Sequence, residues 1–115
     1  MKVKKLNRFI TFFLGKNIIG ITLAPFGIYL REDCLKDDVT INHEKIHWKQ
    51  QVEMFIIPFY IWYLLEFLWK RILYGRLSYY MISFERESYD NQSDLKYLET
   101  RKLYAWTDYL TFMIL

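Results

Sequence analysis

The sequence predicts an α+β fold, mostly helical, with a short β-hairpin or small sheet near the N-terminus. Three observations carry that expectation. Residues 17–31, NIIGITLAPFGIYLR, are rich in β-branched and aromatic side chains and are interrupted by Pro25-Phe26-Gly27, the pattern of strand, turn and strand. From about Thr40 onward the apolar residues recur at helical spacing, broken at Pro58 and Gly75. The composition, 53% apolar and 20% aromatic over 115 residues, supports one well-filled core and excludes disordered or collagen-like material. With no internal repeat or linker, residues 1–115 read as a single domain.

The elements follow in order. Residues 1–16 form a basic arm, with a short helix expected over 5–14. Residues 32–38, EDCLKDD, form a polar loop. A first long helix runs from about Ile41 to Ile57, with Thr40 as its N-cap and Asp37 and Asp38 at the positive end of its dipole. Pro58 ends it and opens a second helix to about Leu73, because proline lacks the N–H that an interior position needs but suits a first turn. Tyr74-Gly75-Arg76 is a break. Ser78 caps a third helix, Tyr79–Gln92, and Ser93-Asp94 opens a fourth, Leu95 to about Leu110.

Charge narrows the function classes. Lys2, Lys4, Lys5, Arg8 and Lys16 put five positive and no negative groups in residues 1–16, and the remainder carries 11 basic and 13 acidic residues. A nucleic-acid binder would carry a basic stripe across its body, so no nucleic-acid partner is expected. A basic aromatic arm beside a near-neutral body fits contact with an anionic membrane surface. The apolar run Phe9–Leu14 is too short for a secretory h-region and no small-x-small site follows it closely. The expected location is therefore the cytoplasm or the periphery of the cytoplasmic membrane. The stretch Phe55–Trp69 is apolar except for Glu66. As a helix it spans about 22 Å, short of the ~30 Å hydrocarbon core, which suits a buried helix, or a membrane-surface or re-entrant one. Cys34 is the lone cysteine, which rules out an internal disulfide and a cysteine-based zinc site.

The chemistry lies in the two histidines. They stand four apart in His43-Glu44-Lys45-Ile46-His47, an H-E-x-x-H motif. Four residues of helix bring both imidazoles to one face, one turn apart, where a single Zn2+ can accept both at about 2.1 Å. Glu44 leaves the helix about 100° round from His43, so it flanks the metal as a general base for a metal-activated water. A chance match in a chain with two histidines is on the order of one in a thousand. A third ligand must be a carboxylate or be absent, since no third histidine exists and Cys34 precedes the helix in a loop. Glu85 is the choice, because its helical neighbours Met81 and Tyr89 put it on a largely apolar stripe, where a buried carboxylate needs a partner. Glu87 is expected to face solvent or pair with Arg86 or Asn91. Gln51 continues the histidine face, either toward a cleft or as a polar surface position.

With H-E-x-x-H on one helix and Glu85-Arg86-Glu87-Ser88-Tyr89 on a later one, the chain resembles the gluzincin-type zinc metallopeptidases. The pattern is nearest that of the minigluzincins and of the CAAX prenyl endopeptidase and heat-shock membrane protease group, with the related sensor peptidases of β-lactam signalling. Their glutamate helix reads E-x-x-A-D. The glutamate and the small fourth residue are matched here, but Tyr89 stands where the family has an aspartate that orients the first histidine. The resemblance covers about residues 17–92 and implies a zincin-like core of active-site helix, backing helix and glutamate helix. It further implies a peptide or protein substrate laid along an edge strand within residues 18–31. Tyr89 would orient His43 through its hydroxyl or stabilise an oxyanion, a role open also to Tyr80; Asp90 is one step too far round. Zinc-dependent peptide hydrolysis is the leading expectation. The alternatives are a non-catalytic zinc-stapled protein and a membrane-associated interaction protein.

Overall fold

The computed structural model describes residues 3–8 and 19–110. The expected helix over 5–14, most of the basic arm and the apolar tail Thr111–Leu115 lie wholly or largely outside the described residues. What is described is mostly helical with a small three-stranded sheet, as an α+β fold requires.

The strand, turn and strand of residues 17–31 are present. Strand β2 (Gly20–Leu23) and strand β3 (Gly27–Leu30) pair antiparallel, Gly20 opposite Leu30 and Leu23 opposite Gly27. The turn between them carries Pro25 after a cis peptide bond. A third strand went unforeseen: Val3–Lys5, here β1, pairs parallel with β3, so the beginning of the basic arm belongs to the sheet. The order β1-β3-β2 makes β2 an outer strand. Ile28 and Leu30 of β3 are fully buried, and helix α1 (Asp38–Glu53) packs across β2 and β3. A Cβ on Gly20 would run into the end of the Leu30 side chain and come within 3.1 Å of the Tyr29 carbonyl oxygen, so a larger residue here would require Leu30 to shift.

Helix α1 begins earlier than the sequence suggested. Asp37, not Thr40, is the N-cap: its carboxylate accepts from the Val39 N–H at 3.2 Å and from the Thr40 hydroxyl at 2.7 Å. The acid occupies the position where the orphan N–H groups and the helix dipole most favour it. The helix also stops earlier, at Glu53. Phe55 and Ile56 take positive φ of 59° and 70°, and the Ile57 N–H closes a three-residue turn on the Phe55 carbonyl at 2.8 Å. Helix α2 (Ile57–Tyr74) then starts with Pro58 in its first turn and ends at Gly75, φ 58°, both as expected.

The third expected helix is broken in two: α3 (Ser78–Met81) and α4 (Ser83–Asn91) are separated by the extended residue Ile82. The cause is a buried ion pair on α2. Glu66 and Lys70, both with fully buried side chains, lie 3.2 Å apart. Glu66 accepts from the Ser83 N–H and hydroxyl, each at 2.6 Å, and Lys70 donates to the Met81 carbonyl at 2.5 Å. The pair thus satisfies the last carbonyl of one helix and the first N–H of the next, replacing the intrahelical bonds that the break removes. Around it packs a small aromatic core of Phe59, Ile82, Phe84 and Trp106.

The fourth helix, expected over 95–110, is absent. A short α5 (Tyr97–Thr100) and a 3-10 turn at Ala105–Tyr109 replace it. Arg101, extended, drives its guanidinium between Glu87 and Glu53, and the Glu53 carboxylate also accepts from the Tyr104 N–H. Glu87 is correspondingly fully buried rather than facing solvent, bonded by Arg101, Tyr97 and Gln50. Its neighbour Asn91 reaches only its backbone carbonyl. Tertiary charge pairing here overrides local helix preference.

Removing Lys70 tests this account of the break. Lys70→Ala leaves a buried Glu66 carboxylate and the Met81 carbonyl without their cation, and is expected to cost about 3–5 kcal/mol in urea unfolding followed by circular dichroism. A loss under about 1 kcal/mol, the size of an exposed pair, would show that the pair does not hold the two helix ends.

Candidate metal centre

Helix α1 presents His43 and His47 one turn apart, and the first turn of α4 brings Glu85 to them. All three are buried. The His43 and His47 Nε2 atoms are 3.2 Å apart, and Glu85 Oε1 lies 3.2 Å from the first and 3.0 Å from the second. These residues form the cluster able to hold a metal ion, their ligand atoms within 4.8 Å of one another. A tetrahedral ion with bonds of about 2.0–2.1 Å needs ligand atoms about 3.3 Å apart, so the triangle is already near the size of one tetrahedral face.

The protonation pattern points the same way. Gln50 donates through its amide nitrogen to the Phe84 carbonyl at 3.0 Å and to Glu87 at 2.9 Å, which turns its amide oxygen toward His47 Nδ1 at 2.7 Å. Two acceptors on the nitrogen side settle the orientation of that amide, so Nδ1 is the donor. His43 Nδ1 faces the Gln92 amide oxygen at 2.9 Å in the same manner. Both Nε2 lone pairs therefore point at each other and at a carboxylate oxygen, an arrangement that requires a cation among them. In the metal-free protein a proton serves. Burial alone would lower the His47 pKa, but the Glu85 carboxylate outweighs it and carries the value up to about 9. Burial works to raise the Glu85 pKa, and the His47 charge and the bonds from both rings hold it well below the usual carboxylate range.

The second oxygen of Glu85 accepts from the Tyr63 hydroxyl at 3.0 Å, so a tyrosine of α2 fixes the carboxylate's rotation. Burial, then Glu85 itself, pushes the Tyr63 pKa far up, which keeps it a donor. Glu44 flanks the triangle: one of its oxygens lies 3.9 Å from His43 Nε2, and the Thr22 hydroxyl of β2 sits 2.8 Å from the other and 2.9 Å from the Glu44 carbonyl. Ser88, fully buried, donates to the His43 carbonyl at 3.2 Å. Its small side chain is what allows α4 to lie close on α1. Gln51 faces the cleft and clamps β2, accepting from the Ala24 N–H at 2.9 Å and donating to the Thr22 carbonyl at 2.8 Å.

A half-open pocket of about 650 Å³ lies over the triangle, walled by β2 on one side and by tyrosines on the other, among them Tyr60, Tyr80 and Tyr89. Tyr89 does not orient His43 by a hydrogen bond. Its ring packs edge-on against the imidazole at 4.6 Å, and Gln92 makes the bond to Nδ1 instead. Asp90 is exposed, and Arg101 pairs with Glu53 and Glu87 rather than with Glu85.

The sequence reading found His43, Glu44, His47 and Glu85 and missed Thr22, Gln50, Tyr63 and Gln92. Gln50 had a signal: it stands three residues after His47, on a neighbouring part of the same helix face. Thr22 and Tyr63 reach the site from other elements, and no spacing announces them. Comparison with protein-family models, with curated proteins and with solved structures finds no match for the chain.

Two outcomes check the centre. One divalent metal ion per chain is expected by native mass spectrometry, lost in Glu85→Gln, with affinity weakened about 10–100-fold in Gln50→Leu, which removes the ring's orienting acceptor together with the amide's bonds to Phe84 and Glu87. The pH dependence has a definite sign. The raised His47 pKa stabilises the metal-free fold fully below about 6.5 and ceases to do so as pH rises through about 9. The depressed Glu85 pKa stabilises it above about 4.5 and is lost on acidification below that. The melting temperature of chelator-treated protein should accordingly fall from pH 6.5 to 9.5, while the gain on adding zinc grows over the same range, since the metal displaces the His47 proton.

Proposed function

We propose that this protein is a zinc-dependent metallopeptidase of zincin-like build, with His43, His47 and Glu85 as metal ligands and Glu44 as general base. The observation that carries the reading is the position of Glu44: a buried carboxylate beside the ligand triangle, one oxygen occupied by Thr22 and the other 3.9 Å from a ligand nitrogen, at the floor of an open pocket. Zn2+, whose donor set of two imidazoles and one carboxylate is that of a catalytic zinc site, would supply Lewis acidity toward a carbonyl and a water.

The protein's own groups supply the rest. Thr22 holds Glu44 by one oxygen and leaves the other to take a proton from the attacking water and return it to the departing amine. Tyr89 and Tyr80 line the pocket as hydroxyl donors for a developing oxyanion. The peptide or protein substrate would lie beside β2, whose Gly20–Thr22 segment, with Ile19 just before it, walls the same pocket. The site also ties α1 to α4, as a zinc staple would, and the same experiment separates that non-catalytic reading.

Glu44→Gln should abolish cleavage of a quenched-fluorescence peptide mixture by the zinc-loaded protein, a loss of at least ~10²-fold, with zinc content and melting temperature unchanged. Undiminished cleavage in that variant removes Glu44 from the mechanism. Failure of the zinc-loaded wild type to cleave any of the mixture, together with unfolding on zinc removal, favours the staple. Thr22→Val should lower kcat more than it raises KM, because it loosens the base and leaves the cleft walls in place.

A further inference from the structure

We propose that the outward face of α2 docks on the surface of an anionic lipid bilayer. The helix is inside out. Ile57, Ile61, Leu64, Leu65, Leu68 and Ile72 fall within about 100° of one another around its axis, and each is more than half exposed. Its fully buried charged residues, Glu66 and Lys70, point the other way, into the protein. A helix packed against a core and facing water distributes these residues in the opposite sense. A contiguous apolar stripe along about 23 Å of helix is larger than the scattered exposed side chains of ordinary surfaces. The turn before it extends the stripe, with Phe55 82% exposed.

The charges around the stripe select the occupant. Between residues 39 and 89 every acidic side chain is withdrawn: those of Glu44, Glu53, Glu66, Glu85 and Glu87 are at most 10% exposed. The basic side chains Lys49, Arg71 and Arg76 are exposed in the same stretch. Arg71 lies at the margin of the stripe and Arg76 just beyond the end of the helix. Basic groups beside an apolar face match anionic headgroups above acyl chains. A second copy of this face offers the arginines no carboxylate. No single helix among the described residues is long and apolar enough to cross a membrane, while α1 and the helical segment from Ile57 to Asn91, bent by 113°, together pass by length and composition; on this proposal α2 lies along the surface. None of this depends on the metal centre or on catalysis.

The test is flotation of the full chain through a density gradient with vesicles of phosphatidylcholine and phosphatidylglycerol. The wild type should rise with the vesicles. Replacing two exposed leucines, Leu64→Asp with Leu68→Asp, should cut the floated fraction at least ~tenfold, with helicity and zinc stoichiometry unchanged. Arg71→Gln with Arg76→Gln should weaken binding roughly fivefold per arginine and flatten its salt dependence. A wild type that stays at the bottom of the gradient overturns the proposal, as does a leucine variant that floats undiminished. A wild-type dimer in sedimentation that the leucine variant dissociates, with neither protein floating, would give the face to a second copy instead.

Discussion

Three lone-pair-bearing atoms, two imidazole nitrogens and a carboxylate oxygen, are forced together in a buried place with no room to turn away. That constraint organises the molecule. Each ring is held from behind by a glutamine amide, and the carboxylate by a tyrosine hydroxyl. Gln50 is the hinge of the arrangement, because the amide that orients His47 also grips the Phe84 carbonyl and Glu87 of α4. The contact that sets the imidazole is therefore the contact that docks one helix on the other. The start of α4 is set in turn by Glu66. Moving that start by one residue would rotate Glu85 by about 100°, away from both rings.

The interior is unusual in kind. Among the described residues, more polar and charged side chains than apolar ones are buried, and the carboxylates inside are paired with Lys70, Arg101 and the histidines. Such pairs return little net stability against well-packed apolar substitutes but are costly to break singly. They also act as backbone partners wherever the chain departs from regular structure: at the α3–α4 break and at the turn before Ala105. A chain of this size thereby keeps sharp changes of direction close to its candidate metal cluster while giving the peptide groups at those bends side-chain partners.

The extent to which the sequence revealed this can be read from particular residues. Pro25, Pro58 and Gly75 punctuate the chain where backbone chemistry says they must, and the hairpin and helix α2 that they delimit came out as expected. The two histidines of the candidate cluster were readable because a four-residue interval on a helix is a spatial statement. What stayed hidden depends on contacts distant in sequence. Nothing local in Tyr79–Gln92 tells of a break at Ile82, because Glu66 and Lys70 impose it from another helix. The helical pattern after Leu95 is real, but it competes with Arg101, whose charge is drawn between Glu53 and Glu87. Val3–Lys5 becomes a strand only because β3 offers it an edge, and Glu87 looked like a surface residue because its partner lies 14 positions downstream.

Gln51 shows how much one side chain can do for the boundary of a sheet. By accepting from Ala24 and donating to Thr22 it plays, with one amide, the part of the next strand at two backbone positions. An outer strand with both groups open would be a template for another molecule of the same kind and a seed for aggregation. Here that recruitment is blocked from Thr22 to Ala24, so an extended visitor could align only with the end of β2 that begins at Gly20. The same clamp that protects solubility thus sets a limit on how long a guest chain the strand can register.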